Sequence, residues 1–336
     1  MKTAIRAVLI NLSGIEFFRS RSSFLELCHK GYAQGEVSAK IKLNAIYNRV
    51  FRTAFFFRWA PGKYWGGAIL NLLGLSLVRY FYHNTLYSLR FLGKRPLYLS
   101  LKRDGITMER RFFEPELVQE ILSFHSNNAA DVAHHFEDFS ELIISNTKGP
   151  QKNKADYLAL VEKILKDKGI LDIGRDLTGK SFSITPYMAI LHSKSEPGKS
   201  AQEDGQNTPH IDVFYPSFKI FVYLNDVSEL NGAFRYLARS QAFSLKNAMN
   251  YYKDSFRYYW LGGHEQIYPN DATLSLYKND FEWVSANGSP GDAVFFNVQG
   301  IHRRGDFEKG QFRQRLVFLI DFRQIEAPIP VLAANV

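Results

Sequence analysis

The apolar and polar positions of this chain change their period from segment to segment, and the changes mark its elements. Three short runs are apolar almost throughout: Phe218-Lys-Ile-Phe-Val-Tyr-Leu224, Ala293-Val-Phe-Phe-Asn-Val298 and Arg315-Leu-Val-Phe-Leu-Ile-Asp-Phe322. Their length and their β-branched and aromatic content predict buried strands. Asn225-Asp226 ends the first run and Ser289-Pro-Gly-Asp292 leads into the second, both as turns. His210-Ile-Asp-Val-Phe-Tyr and Asn231-Gly-Ala-Phe-Arg-Tyr-Leu237 read as further strands. Lys246-Asn-Ala-Met-Asn-Tyr-Tyr-Lys253 reads as helical, inside a segment of about 243–280 that interrupts the strands. Residues 193–208 are a long polar run, either a lid that orders over substrate or a solvated loop. Arg303-Arg-Gly-Asp-Phe-Glu-Lys-Gly-Gln311 reads as a polar loop.

Set on these elements, a few polar residues acquire chemical meaning. A single His beside an apolar strand is more often a satisfied structural residue than a ligand. His210 and Asp212, however, are two residues apart, so an extended backbone projects both from one face. A helix would turn them about 200° apart. His302 follows the apolar run 293–298 at a strand end. Together the three offer two imidazoles and one carboxylate, the set of a facial triad that leaves iron(II) open positions. Arg313 and Arg315 enter the last strand on one face, and either can grip a carboxylate through two parallel hydrogen bonds. Arg315 is preferred because it directly starts the apolar strand. Lys219 and Tyr223 share a strand face and could reach a co-substrate or line the interior. Arg235 could pair with a charged substrate or lie on an exposed face.

These segments, in this order, resemble the phytanoyl-CoA dioxygenase (PhyH) family of iron(II)/2-oxoglutarate oxygenases. The family's pattern is a His-x-Asp strand, an Asn-Gly strand, a Gly-Asp strand ending in a distal His, and an Arg soon after. Here these are His210/Asp212, Asn231-Gly232, Gly291-Asp292 leading to His302, and Arg313 or Arg315. The segment Asp104–Glu120 is similar to the family's first strand and helix, so the resemblance spans roughly residues 101–325. It implies a mainly β fold with flanking helices and a double-stranded β-helix (jelly roll, cupin-like) core, to which the residues before it add a helical N-terminal extension. It further implies that His210, Asp212 and His302 hold Fe(II), that 2-oxoglutarate and O2 are co-substrates, and that Arg315 or Arg313 binds 2-oxoglutarate. The expected reaction gives succinate and CO2 and hydroxylates a C–H bond of a small-molecule or lipid-like substrate through a ferryl species. Asp212 argues against halogenation, since halogenating relatives carry Gly or Ala there. One departure is Ala238-Arg-Ser-Gln241, where the family has a Pro-Gly-Ser-His-like turn. The other function class is a non-catalytic binding or scaffold protein on the same fold, docking through its basic N-terminal part.

Composition adds a second region. The chain has 336 residues, 46% of them hydrophobic, enough for one oxygenase domain (101–336) and an extension (1–100). Residues 1–100 hold 15 Lys and Arg against three acids, Glu16, Glu26 and Glu36, whereas residues 101–336 hold 27 against 30. The basic residues are interleaved with aromatics, as in Phe51–Trp59, Lys63-Tyr-Trp65 and Arg79-Tyr-Phe-Tyr82. Between them Gly66–Val78 is apolar, but too short for the roughly 20 residues a spanning helix needs. Peripheral membrane contact and packing on the oxygenase domain both remain open for this part. No nucleic-acid reading motif is present. The single cysteine, Cys28, excludes an intramolecular disulfide and fits a reducing cytoplasm. Met1–Leu12 is a poor signal peptide because Arg6 interrupts its apolar run, so secretion is not expected.

Overall fold

The structure, a computed structural model, describes residues 74–128, 133–136, 139–144, 154–179, 186–195, 206–213, 216–260, 269, 274–275, 281–308 and 311–322. All fall in one compact unit, Ala54–Ala327. Its strands are β1 (Ile106–Glu109), β2 (Ala133–Phe136), β3 (Phe139–Ile143), β4 (Tyr187–Ser195), β5 (Phe218–Tyr223), β6 (Phe234–Leu237), β7 (Trp283–Ala286), β8 (Ala293–Asn297), β9 (His302–Arg304) and β10 (Arg313–Asp321). Seven form one sheet in the order β1-β8-β5-β10-β4-β3-β2, and three form a second in the order β7-β6-β9. Every pairing is antiparallel. Two facing antiparallel sheets with these crossovers make the double-stranded β-helix.

The apolar runs have a simple cause: β5, β8 and β10, central in the large sheet, are buried on both faces. Side chains alternate across a strand, and β10 shows the result. Leu316, Phe318 and Ile320 join Ile220 and Phe295 in a core shared with Leu117, Ile164 and Leu177 of the flanking helices. Val317 and Leu319 point the other way, packing with Phe221, Val294 and Phe296 against Phe234 and Tyr236 of the small sheet. Strands buried on both sides read as continuous hydrophobic runs. Each such side chain contributes roughly 1.5–3 kcal/mol.

The turn before β8 explains the Gly-Asp pair. Gly291 has φ +90°, and a β-carbon there would lie 2.3 Å from the Phe113 carbonyl oxygen, so glycine is required. Asp292 accepts the backbone N–H groups of Arg111 and Ser289, both at 2.9 Å, and pairs with Arg110 at 2.6 Å. Burial raises its pKa, but these donors more than offset it and leave the carboxyl below its ordinary range.

Several elements differ from the sequence expectation. His302, expected just beyond a strand, begins β9, and Arg303 and Arg304 belong to that strand, not to a polar loop. Three-residue strands are too short for a periodic signal. His210 makes only an isolated bridge, opposite His302, in place of a continuous strand. The helical reading of 246–253 sits within a longer helix, Leu245–Trp260. A helix at Leu75–Arg90 packs on it, with Tyr80 stacked 6.1 Å from Tyr251 and donating to the Ala242 carbonyl at 2.9 Å. The middle of the polar run, 196–205, and residues 1–73 lie outside the described residues.

Candidate metal centre

The backbone brings the three candidate ligands together. His210 and His302 exchange both backbone hydrogen bonds, at 2.9 and 3.0 Å, and the Asp212 N–H donates to the Val298 carbonyl at 3.1 Å. Their donor atoms all lie within 4.8 Å of one another, and all three residues are buried. Each imidazole is oriented in the same way. His210 Nδ1 lies 2.8 Å from the Thr208 carbonyl and His302 Nδ1 lies 2.9 Å from the Gly300 carbonyl. A carbonyl only accepts, so both Nδ1 atoms carry the proton and both Nε2 atoms are left for the interior.

The electrostatics keep the His210 ring neutral. Burial, joined by the neighbouring His302, pushes the His210 imidazole down to about 3, against the opposing pull of Asp212. It therefore presents a lone pair at neutral pH. The two Nε2 atoms lie 3.5 and 3.6 Å from Asp212 Oδ1, too long for a good N–H···O bond. Donors bound at about 2.1 Å around one cation are roughly 3 to 3.5 Å apart. Two imidazole Nε2 atoms and one carboxylate at this spread fit a divalent transition metal.

The surroundings hold the distal histidine in place. Tyr236 lies parallel to the His302 ring at 6.3 Å, and Phe234 and Phe296 each lie 5.5 Å away. Tyr236 Oη donates to the Asn297 carbonyl at 2.9 Å. A β-carbon at Gly300 would fall 1.8 Å from that hydroxyl oxygen, so only glycine fits before the ligand. The Ala238–Gln241 turn also serves this loop: Ser240 Oγ accepts the Ile301 N–H at 2.7 Å.

Comparison with known proteins shows the family. The family model described as "Phytanoyl-CoA dioxygenase (PhyH)" matches residues 101–313, well over half of the chain. The chain belongs to the PhyH family. PhyH membership makes it an enzyme, an iron(II)/2-oxoglutarate-dependent oxygenase, and the His-Asp-His group suits that metal. Among solved structures, the chain is similar to the epimerase SnoN in complex with Fe3+, alpha ketoglutarate and nogalamycin RO (14% identity, 67% of this chain and 82% of that one, TM-score 0.46). It is also similar to EctD from S. alaskensis with 2-oxoglutarate and 5-hydroxyectoine (12%, 67% and 74%, TM-score 0.43). A third is HygX from Streptomyces hygroscopicus with nickel, 2-oxoglutarate and hygromycin B (14%, 68% and 86%, TM-score 0.41). No curated protein matches.

The remaining candidates of this PhyH chain separate cleanly. Arg315 is 4% exposed, donates through Nη1 to the Gly232 carbonyl at 3.0 Å, and lies 6.0 Å from the Phe221 ring centre. Phe221 in turn touches Phe234 and Phe296, the rings that flank His302. Arg313 is not brought to this interior; it pairs with Glu308, with both side chains about one-third exposed. Lys219 reaches Asp212, at 2.6 Å. Tyr223 is fully buried, burial pushes its hydroxyl above the ordinary range, and it donates to the Ala286 carbonyl at 2.5 Å. Arg235 donates to Ser285 Oγ at 3.2 Å on the other face of β6.

One residue escaped the sequence reading. Arg304 is 3% exposed and two positions after His302, hence on the same strand face. Its guanidinium lies 4.4 Å from the Phe307 ring centre, and a β-carbon at Gly232 would lie 3.5 Å from its side chain. Arg304 and Arg315 thus converge on Gly232. The two-residue spacing from His302 was the available signal.

Proposed function

We propose that the chain hydroxylates a C–H bond of a small-molecule or lipid-like substrate. In this reading His210, Asp212 and His302 are the iron ligands, and Arg315 anchors the distal carboxylate of 2-oxoglutarate. The convergence of the two Nε2 atoms on Asp212 Oδ1 carries it. Bound iron(II) and 2-oxoglutarate supply oxidative decarboxylation coupled to C–H oxidation, and the chain's residues bind, orient and exclude water.

His210 and His302 direct their Nε2 atoms inward, because their outer N–H groups are committed to carbonyls. Asp212 contributes the single anionic ligand and fills the place that a halide would otherwise take, which supports hydroxylation. Arg315 and Arg304 place positive charge on the interior wall beyond Phe221 and Phe234, where a dicarboxylate's far end needs it. The apolar rings around His302 keep the centre dry. We further propose that residues 101–336 form the oxygenase domain and residues 1–100 a basic extension.

A screen of small carboxylic acids, acyl compounds and lipids for substrate-stimulated succinate release tests the reaction. At least one is expected to raise succinate above the uncoupled background and to return as a product heavier by one oxygen. Stimulation with no oxygenated product would contradict hydroxylation.

The basic, aromatic extension supports peripheral contact with anionic lipid. No helix of the described residues is long and apolar enough to cross a membrane. The full chain is expected to float with anionic vesicles and to be released by salt; equal recovery with neutral vesicles would refute an electrostatic contact.

A further inference from the structure

Asp212 uses its two oxygens differently. Oδ1 faces the imidazoles, 3.5 Å from His210 Nε2 and 3.6 Å from His302 Nε2. Oδ2 accepts a 2.6 Å hydrogen bond from Lys219 Nζ. Lys219 is itself fixed by the sheet: β5 sets it opposite Asp321 of β10 on one side and Phe296 of β8 on the other. Its ammonium lies 3.8 Å from Asp321 Oδ2. The side chains of Asp212, Asp321 and Lys219 are 1%, 3% and 12% exposed, so water competes little for these contacts.

A carboxylate can bind a cation through one oxygen or close on it through two. The choice matters in a facial triad, which leaves three positions. A keto acid chelating through two atoms, plus oxygen, needs all three. A two-oxygen Asp212 would remove one of them.

We infer that Lys219 is a positioning residue that holds Oδ2 away from the metal, restricts Asp212 to one metal bond and keeps the keto-acid position open. This rests on the ligand assignment proposed above. Asp321 aims the ammonium from the neighbouring strand, and the compact charge of lysine suits a gap between two carboxylates. In this role Lys219 acts through Asp212 and not by gripping the co-substrate.

Cobalt(II) is the probe, because its visible bands report coordination without turnover. Wild type, K219M and K219Q are titrated with cobalt(II). Each cobalt form is then titrated with 2-oxoglutarate and with 2-oxobutyrate, which keeps the chelating end but lacks the distal carboxylate. In K219M the dissociation constants of both keto acids are expected to rise on the order of tenfold, the cobalt constant to change by less than about threefold, and the cobalt bands to shift before keto acid is added. K219Q, which can still donate to Oδ2, is expected to fall between.

A rise confined to 2-oxoglutarate would overturn the inference in favour of a direct grip on the distal carboxylate. Equal weakening of cobalt and keto acids would overturn it in favour of a merely structural ion pair. If K219M does not fold, K219Q decides: about a threefold rise or more in both keto-acid constants, with cobalt unchanged, supports the role, and less refutes it. Wild-type protein that binds neither cobalt nor keto acid would refute the ligand assignment itself, whereas binding wild type with silent variants refutes only the role of Lys219.

Discussion

His210→Ala is expected to lower substrate-dependent succinate formation by about a thousandfold or more, because a metal left with one imidazole and one carboxylate is held neither tightly nor facially. The effect should be chemical and not a loss of fold. The His210 backbone bonds to His302 do not involve the imidazole and persist in the variant. What disappears is a neutral nitrogen, pinned by the Thr208 carbonyl and kept unprotonated by burial. Succinate release and bound iron, measured on protein whose thermal melting stays cooperative, check this. Activity within tenfold of wild type would mean that His210 is not a ligand.

Arg315→Met is expected to raise the KM for 2-oxoglutarate about a hundredfold while kcat at saturation changes little, the signature of lost uniform binding. A buried guanidinium–carboxylate bond is worth about 1.5–3 kcal/mol, and a two-pronged one more. Arg313→Met is expected to change KM by less than about threefold, since its exposed pair with Glu308 contributes little. Steady-state kinetics on the two variants distinguish them. The reverse ranking would move the anchor to Arg313, and a large effect in both would argue for a shared clamp.

Much of this was legible in the sequence. Strands β5, β8 and β10 announced themselves because both their faces are buried, which turns alternation into continuous apolar runs. His210 and Asp212 were legible as a pair because two-residue spacing needs only an extended backbone, even though the structure provides no more than a bridge there. Other features depend on contacts far apart in the chain. Nothing local shows that Lys219 meets Asp212, or that Tyr223 donates to Ala286, 63 residues away. Arg304 was hidden in a polar run, and only the strand begun by His302 turns its side chain inward. The burial of Arg315 against the ion pair of Arg313 likewise follows from where β10 enters the sheet.

The central claim, that the His210, Asp212 and His302 cluster holds iron(II) open to a keto acid, is tested most directly by adding iron(II) and 2-oxoglutarate to the protein without oxygen. A weak visible metal-to-ligand charge-transfer band is expected, requiring both components and absent in His210→Ala. Folded wild-type protein that stays colourless with both present would contradict the account.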